Sequence, residues 1–291
     1  MELDINQYHS VKDCLRNAYS TVRQNVKPIL RKTWWVVLIE ALVMALVCYF
    51  FLPNKPLHDW GESNPISSFT IQTIVYLAGI VMNIIMRAMF WSLINKEKWT
   101  TNLCRTLFVT ILLIITGIVA YVLFKLLTDW LTPVPTTPEE MPSQESVMTT
   151  WIFIALSIVM VLIIVMIPLA YSFTRFMMED RRLPWGKYGR GFKYWGTLFV
   201  SQLLVTIITG IVLLLIALPL DILVSAQFLS QLGALEGDPL DIPSYFTPLL
   251  LTALTLFFYV AAFFTLWTQI VLAYQYGSIE TQQREKKLQK A

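Results

Sequence analysis

Two opposite charges sit inside long apolar stretches. Glu40 lies six residues past Trp34, and Arg87 lies seven residues before Ile94. At a 1.5 Å rise those offsets put them roughly 9 and 10 Å from the ends of their helices. Ionisable groups within a membrane span are the first place to look for function. Asn83 stands one turn from Arg87, and Gln202 and Gln269 occupy corresponding stretches further along. Glu40, Asn83, Arg87, Gln202 and Gln269 therefore form a candidate intramembrane polar site. Two chemistries fit it. A buried ion pair with amide side chains would hold helices together. A cavity open to one side would let the carboxylate take a cation or the guanidinium a phosphate. One acid and one cation do not choose between these.

The second constellation lies between the fourth and fifth apolar stretches. Arg181, Arg182, Lys187, Arg190 and Lys193 alternate there with Trp185, Tyr188, Phe192, Tyr194 and Trp195. Beside a membrane each such cation attracts anionic lipid by about 1 kcal/mol. These five are the candidate headgroup contacts. The rule that cytoplasmic loops are positive accounts for the same charges without any site. Gly186, Gly189 and Gly191 make neither a phosphate loop nor a dinucleotide fingerprint.

Several chemistries have no residues to perform them. Both histidines, His9 and His58, fall outside the apolar stretches, which excludes a Ser–His pair within the membrane and a His nucleophile. There is no His-Glu-x-x-His and no paired-aspartate set for magnesium. Cys14, Cys48 and Cys104 suggest neither a disulfide framework nor, with so few histidines, a zinc site. No catalytic residue, metal or cofactor is expected, and nucleic acid is not an expected partner.

The elements that must position these residues are legible. The chain of 291 residues is 56% hydrophobic and 14% charged. Apolar runs at Trp34–Leu52, Phe69–Ile94, Leu107–Leu127, Trp151–Met178, Thr197–Leu220 and Thr247–Leu272 each reach the roughly 20 residues a spanning helix needs. Of 22 Lys and Arg, 18 fall in the N-terminal arm, the second and fourth connections and the C-terminal tail. The other three connections hold one cation, Lys55, against acids that include Asp59, Glu62, Glu139, Glu140, Glu236 and Asp238. That alternation predicts six spans with both termini in the cytoplasm.

In the arm, Tyr8, Val11, Leu15, Ala18, Tyr19, Val22 and Val26 recur at helical spacing, with Lys12, Arg16, Arg23 and Lys27 opposite or beside them. This predicts a basic amphipathic helix in the headgroup layer, turning into the first span at Pro28. The connection from Gln227 to Ser244 is expected to be a loop with at most a turn of helix. Thr106-Leu-Phe-Val109 and Thr197-Leu-Phe-Val200 each precede an Ile-Thr-Gly-Ile-Val run, at 115–119 and 208–212. They suggest three hairpins related by an axis along the membrane normal.

The basic lead-in, the three hairpins, glycines in the odd-numbered helices, Leu218-Pro219 and the ending Leu272-Ala-Tyr-Gln-Tyr276 together resemble one group. It comprises bacterial six-span membrane proteins related to the membrane domain of glycerophosphodiester phosphodiesterases. The resemblance implies an integral membrane domain without catalysis of its own, and the soluble phosphodiesterase domain has no counterpart here. The expected architecture is an all-α integral membrane bundle of six transmembrane helices in three hairpins. An amphipathic arm (residues 1–33) precedes the spans (34–276), and a basic cytoplasmic tail (277–291) follows. The expected function is a non-enzymatic scaffold of the bacterial inner membrane that faces lipid or binds a protein partner, with anionic lipids as the main candidates. The rival is a small-solute or ion transporter using the polar site.

Overall fold

The computed structural model describes residues 7–52, 65–131, 144–179, 185, 187–235 and 243–289. Every element among them is helical: α1 (Val11–Gln24), α2 (Val26–Phe51), α3 (Pro65–Asn95), α4 (Trp99–Leu131), α5 (Gln144–Met178), α6 (Tyr188–Lys193), α7 (Trp195–Leu235) and α8 (Phe246–Leu288). Six of them, α2, α3, α4, α5, α7 and α8, are long and apolar enough to cross a membrane, so the chain is a multi-pass membrane protein. The chain divides into two units. One holds residues 1–103 and 200–291, the other 104–199.

In the first unit α2 packs against both α3 and α8. Its buried seam runs Ile29, Thr33, Val36, Val37, Glu40, Ala41 and Ala45, at the three- and four-residue steps of one helix face. Small residues bring the backbones close. A Cβ on Gly79 of α3 would stand 3.2 Å from Val47 Cγ2, tighter than ordinary contact. Ala45 packs into a cluster with Phe246, Leu250 and Leu254 of α8, joined by Leu220, Leu223 and Val224 of α7.

Two contacts fix the register of the α2–α3 pair. Gln72 Nε2 donates to the Phe50 carbonyl at 3.2 Å, and Asn83 Nδ2 donates to Glu40 Oε1 at 3.3 Å. Moving from the first contact to the second advances eleven residues along α3 and goes back ten along α2. The helices are therefore antiparallel. The turn after α3 is clamped by an amide pair: Asn95 Nδ2 donates to Asn102 Oδ1 at 2.7 Å, and Asn102 Nδ2 donates back at 3.0 Å.

The arm differs from its sequence reading in two respects. Its buried face is Cys14, Ala18 and Thr21, while Tyr8, Tyr19 and Val26 are exposed. The buried face is the one turned to α8. His9 N–H donates to Ser278 Oγ at 3.1 Å, and that hydroxyl donates to the His9 carbonyl at 2.8 Å. Thr21 Oγ1 and Tyr274 Oη lie 3.0 Å apart. The His9 ring also meets the Tyr274 ring edge-on, with centroids 5.5 Å apart. The second difference is the bend, which falls at Asn25 (φ −109°, ψ 16°) and not at Pro28. Pro28 sits in the first turn of α2, where a missing N–H leaves no bond unmade.

α7 stays helical through Leu235, so the loop expected from Gln227 begins later. α8 continues to Leu288, with Gly277, Ser278 and Ile279 buried. In both cases the helix runs past the end of its apolar stretch. Hydropathy marks where lipid contact ends, not where hydrogen bonding does.

In the second unit α6 seats on the Pro168 turn of α5. A Cβ on Gly191 would come within 2.7 Å of Pro168 backbone atoms, so only glycine fits without a shift. Tyr188 Oη donates to the Val165 carbonyl at 3.0 Å, in the turn that the proline loosens. No residue of α5 from Val165 to Met178 is exposed, whereas Phe153, Leu156, Met160 and Val161 are bare.

Candidate functional site

The α2–α3 hairpin brings three of the five candidate polar residues together. Glu40 occupies a core position on the α2 seam and is 5% exposed. The Asn83 amide, not Arg87, is its hydrogen-bond donor. Arg87 lies near enough for its charge to act on the carboxylate. Among the described residues its guanidinium makes no hydrogen bond and no ion pair. The direct Glu40–Arg87 pair that matched depths suggested is replaced by an Asn83–Glu40 bond with the arginine alongside.

Arg87 is exposed in a stretch of α3 that is otherwise enclosed. Ile84, Met86, Ala88, Phe90, Trp91 and Ile94 are all buried. Arg87 is thus an open position along α3 between buried neighbours on both sides. Its depth follows from the hairpin register. If Asn83 stands opposite Glu40, Arg87 stands opposite residue 36, level with the exposed pair Trp34 and Trp35. Tryptophans at this position sit at headgroup level in membrane helices. Counting back from Ile94 places Arg87 deeper because α3 runs on past the belt to the Asn95–Asn102 clamp. Glu40 is about a turn and a half further in, roughly 8 Å beyond Trp34 and Trp35.

Gln202 and Gln269 do not join this group by hydrogen bonds. Among the described residues, Gln202 Nε2 and Gln269 Oε1 are both buried without a hydrogen-bond partner. Gln275, with both side-chain polar atoms in that state, went unremarked as a buried polar residue because it ends the apolar run.

The basic constellation is split. Arg181 and Arg182 lie outside the described residues. Lys187 caps α6 with left-handed backbone (φ 65°), Arg190 is half-buried, and Lys193 is exposed. The segment is held to α5 by Gly191 and Tyr188, so it is part of the protein's packing as well as a charged surface.

Sequence reasoning passed over the most enclosed cations. Arg105 is 6% exposed, donates from Nη1 to the Met177 carbonyl at 3.1 Å, and lies over the Phe176 ring at 5.8 Å. Arg175 is 3% exposed and pairs with Glu179 at 2.8 Å through Nε. Arg175 stands two residues before Met177 as Arg87 stands two before Met89, and nothing in the sequence marks its burial. Among the described residues, no three His, Cys, Asp or Glu side chains gather as a metal ion would need. No family model, curated protein or solved structure matches the chain.

Proposed function

We propose that this chain is a non-catalytic integral protein of a bacterial cytoplasmic membrane, with three helical hairpins and both termini inside. It acts as a scaffold that gathers anionic lipid, or an acidic partner, on a basic cytoplasmic surface. The observation that carries this reading is the arm. α1 is held against α8 by His9, Thr21, Tyr274 and Ser278, and its cations Lys12, Arg16 and Arg23, with Lys27 at the start of α2, are all exposed. Arg31 and Lys32 continue the row beside the exposed Trp34 and Trp35. Positive side chains next to interfacial aromatics suit an anionic headgroup layer. The resemblance to phosphodiesterase membrane domains implies the same lack of catalysis.

The test replaces Lys12, Arg16, Arg23 and Lys27 together with Gln and measures lipid retained on purification. At about 1 kcal/mol per cation, retention of phosphatidylglycerol should fall strongly, and raised salt should reproduce the loss in the native chain. Retention unchanged by both treatments would remove the reading. Orientation is checked with single cysteines in a background lacking the three native ones. An impermeant thiol reagent added to cells should label Thr137→Cys and spare Lys98→Cys.

One observation favours a second reading, a small-solute or ion transporter. Arg87 is open although the residues around it are enclosed. A cysteine at Asn83, next to the buried carboxylate, separates the two. The scaffold predicts no reaction with a charged thiol reagent from either side, and a water-filled path predicts reaction from the cytoplasmic side.

A further inference from the structure

We propose that Arg87 is an anion site that receives one phosphate group at the level of the Trp34–Trp35 belt. A guanidinium carries five N–H donors in a planar fork matched to phosphate oxygens. At Arg87 none of them is used within the described protein. The buried side chains beside it along α3, Ile84, Ala88 and Phe90 among them, are apolar. Phosphate is the anion found at that depth. Glu40 does not fill the role. It is engaged by Asn83 and sits further in, so it draws the guanidinium toward the seam without neutralising it by contact. Lys32, one turn beyond Trp35 and also exposed, adds positive potential at the belt.

The phosphate could be the diester of a membrane lipid or a soluble phosphate, since either presents the same oxygens. The site is independent of the arm. Attraction to the arm is diffuse and screened by salt, whereas a forked, charge-assisted contact resists it.

The experiment uses the full chain, extracted in a zwitterionic detergent and washed at high salt. Native mass spectrometry then counts added phosphatidylglycerol, and thermal unfolding is followed with inorganic phosphate. The wild type should hold one salt-resistant phosphatidylglycerol, or be stabilised by phosphate. Arg87→Gln should weaken that binding about tenfold or more, since one charge-assisted contact is lost. Arg87→Lys, which keeps the charge and loses the fork, should fall between. Lys125→Gln, an exposed cation of α4 that belongs to neither surface, should leave it unchanged. A lipid response alone assigns a headgroup, and a phosphate response alone assigns a soluble ligand. No salt-resistant binding of either probe by the wild type overturns the proposal, as does binding equal in wild type and Arg87→Gln. If Arg87→Gln does not fold, Glu40→Gln decides. Removing the competing charge should tighten binding about two- to fivefold, and unchanged or weaker binding overturns the site.

Discussion

Arg175 and Arg87 are the same residue type in the same sequence setting, an arginine two residues before a methionine near the end of an apolar helix. The structure treats them in opposite ways. Arg175 is buried and pairs with Glu179, and Arg105 nearby is buried against a carbonyl and a ring. Arg87 is exposed and makes no hydrogen bond or ion pair among the described residues, although a carboxylate lies near it. A buried cation whose donors are spent on the protein is part of its packing. A cation left open with its donors free has capacity for something outside the chain. Sequence position alone cannot separate these cases, because the difference lies in what the neighbouring helix offers.

The comparison is broken most directly by removing each arginine. Arg175→Met should leave Glu179 without its cation at a partly enclosed site, and breaking a buried pair costs about 3–5 kcal/mol. Glu179 is 31% exposed, so solvent screening puts the loss toward the lower end of that range or below it. Arg87→Met should change thermal stability in lipid-free detergent by less than about 1 kcal/mol. Equal losses at the two positions would erase the distinction and return Arg87 to a structural role.

A smaller effect tests what holds Glu40. The Asn83–Glu40 bond is long at 3.3 Å, and interhelical polar contacts in membranes average about 0.6 kcal/mol. Glu40→Gln and Asn83→Ala, alone and together, form a cycle whose coupling should be about 0.5–1.5 kcal/mol. Adding Arg87→Met to either single should change the coupling little, because the arginine makes no direct bond. A coupling larger between Glu40 and Arg87 than between Glu40 and Asn83 would reinstate the ion pair and shrink the capacity assigned to Arg87.

Much of the fold was readable, and the places where reading failed share a cause. Six spans follow from apolar length alone, which lipid enforces through unsatisfied backbone groups. Helix ends do not follow from it. Gln227–Leu235 and Gly277–Leu288 continue as helix because backbone bonding persists after the apolar run stops. The arm's helix was legible, but the centre of its buried face was not. Counting apolar residues favours Tyr19 and Val26, while the face that packs is the smaller Cys14, Ala18 and Thr21, because the partner helix and not hydropathy chooses it. Of the polar site, Glu40, Asn83 and Arg87 were found because charges and amides are rare in apolar helices. Their bonding pattern needed the register. Arg105 and Arg175 were not singled out because they stand at helix ends, where cations are common and burial leaves no mark in the sequence.

The mildest prediction asks whether the arm is docked as firmly as the buried arginines are held. Cys14 faces α8, and burial, helped by the nearby Asp13 charge, pushes its thiol up to about 11 from an ordinary 9.0. At pH 8 its thiolate fraction should be about a hundredfold below that of an ordinary cysteine. An iodoacetamide time course should therefore modify the exposed Cys104 well before Cys14. Ser278→Ala with Tyr274→Phe removes the hydroxyl contacts to His9 and Thr21, each worth about 0.5–1.5 kcal/mol, and should speed Cys14 modification. The pH dependence has a definite sign. Below 9.0 the thiol is protonated whether docked or not, and docking is at full strength. Between 9.0 and about 11 the undocked thiol ionises first, so docking weakens as pH rises, by at most about 1.4 kcal/mol per unit. Cys14 reacting as fast as Cys104 at pH 8 in the native chain would show an arm that leaves α8 freely. The cations it carries would then be a tether, with no fixed surface for lipid to meet.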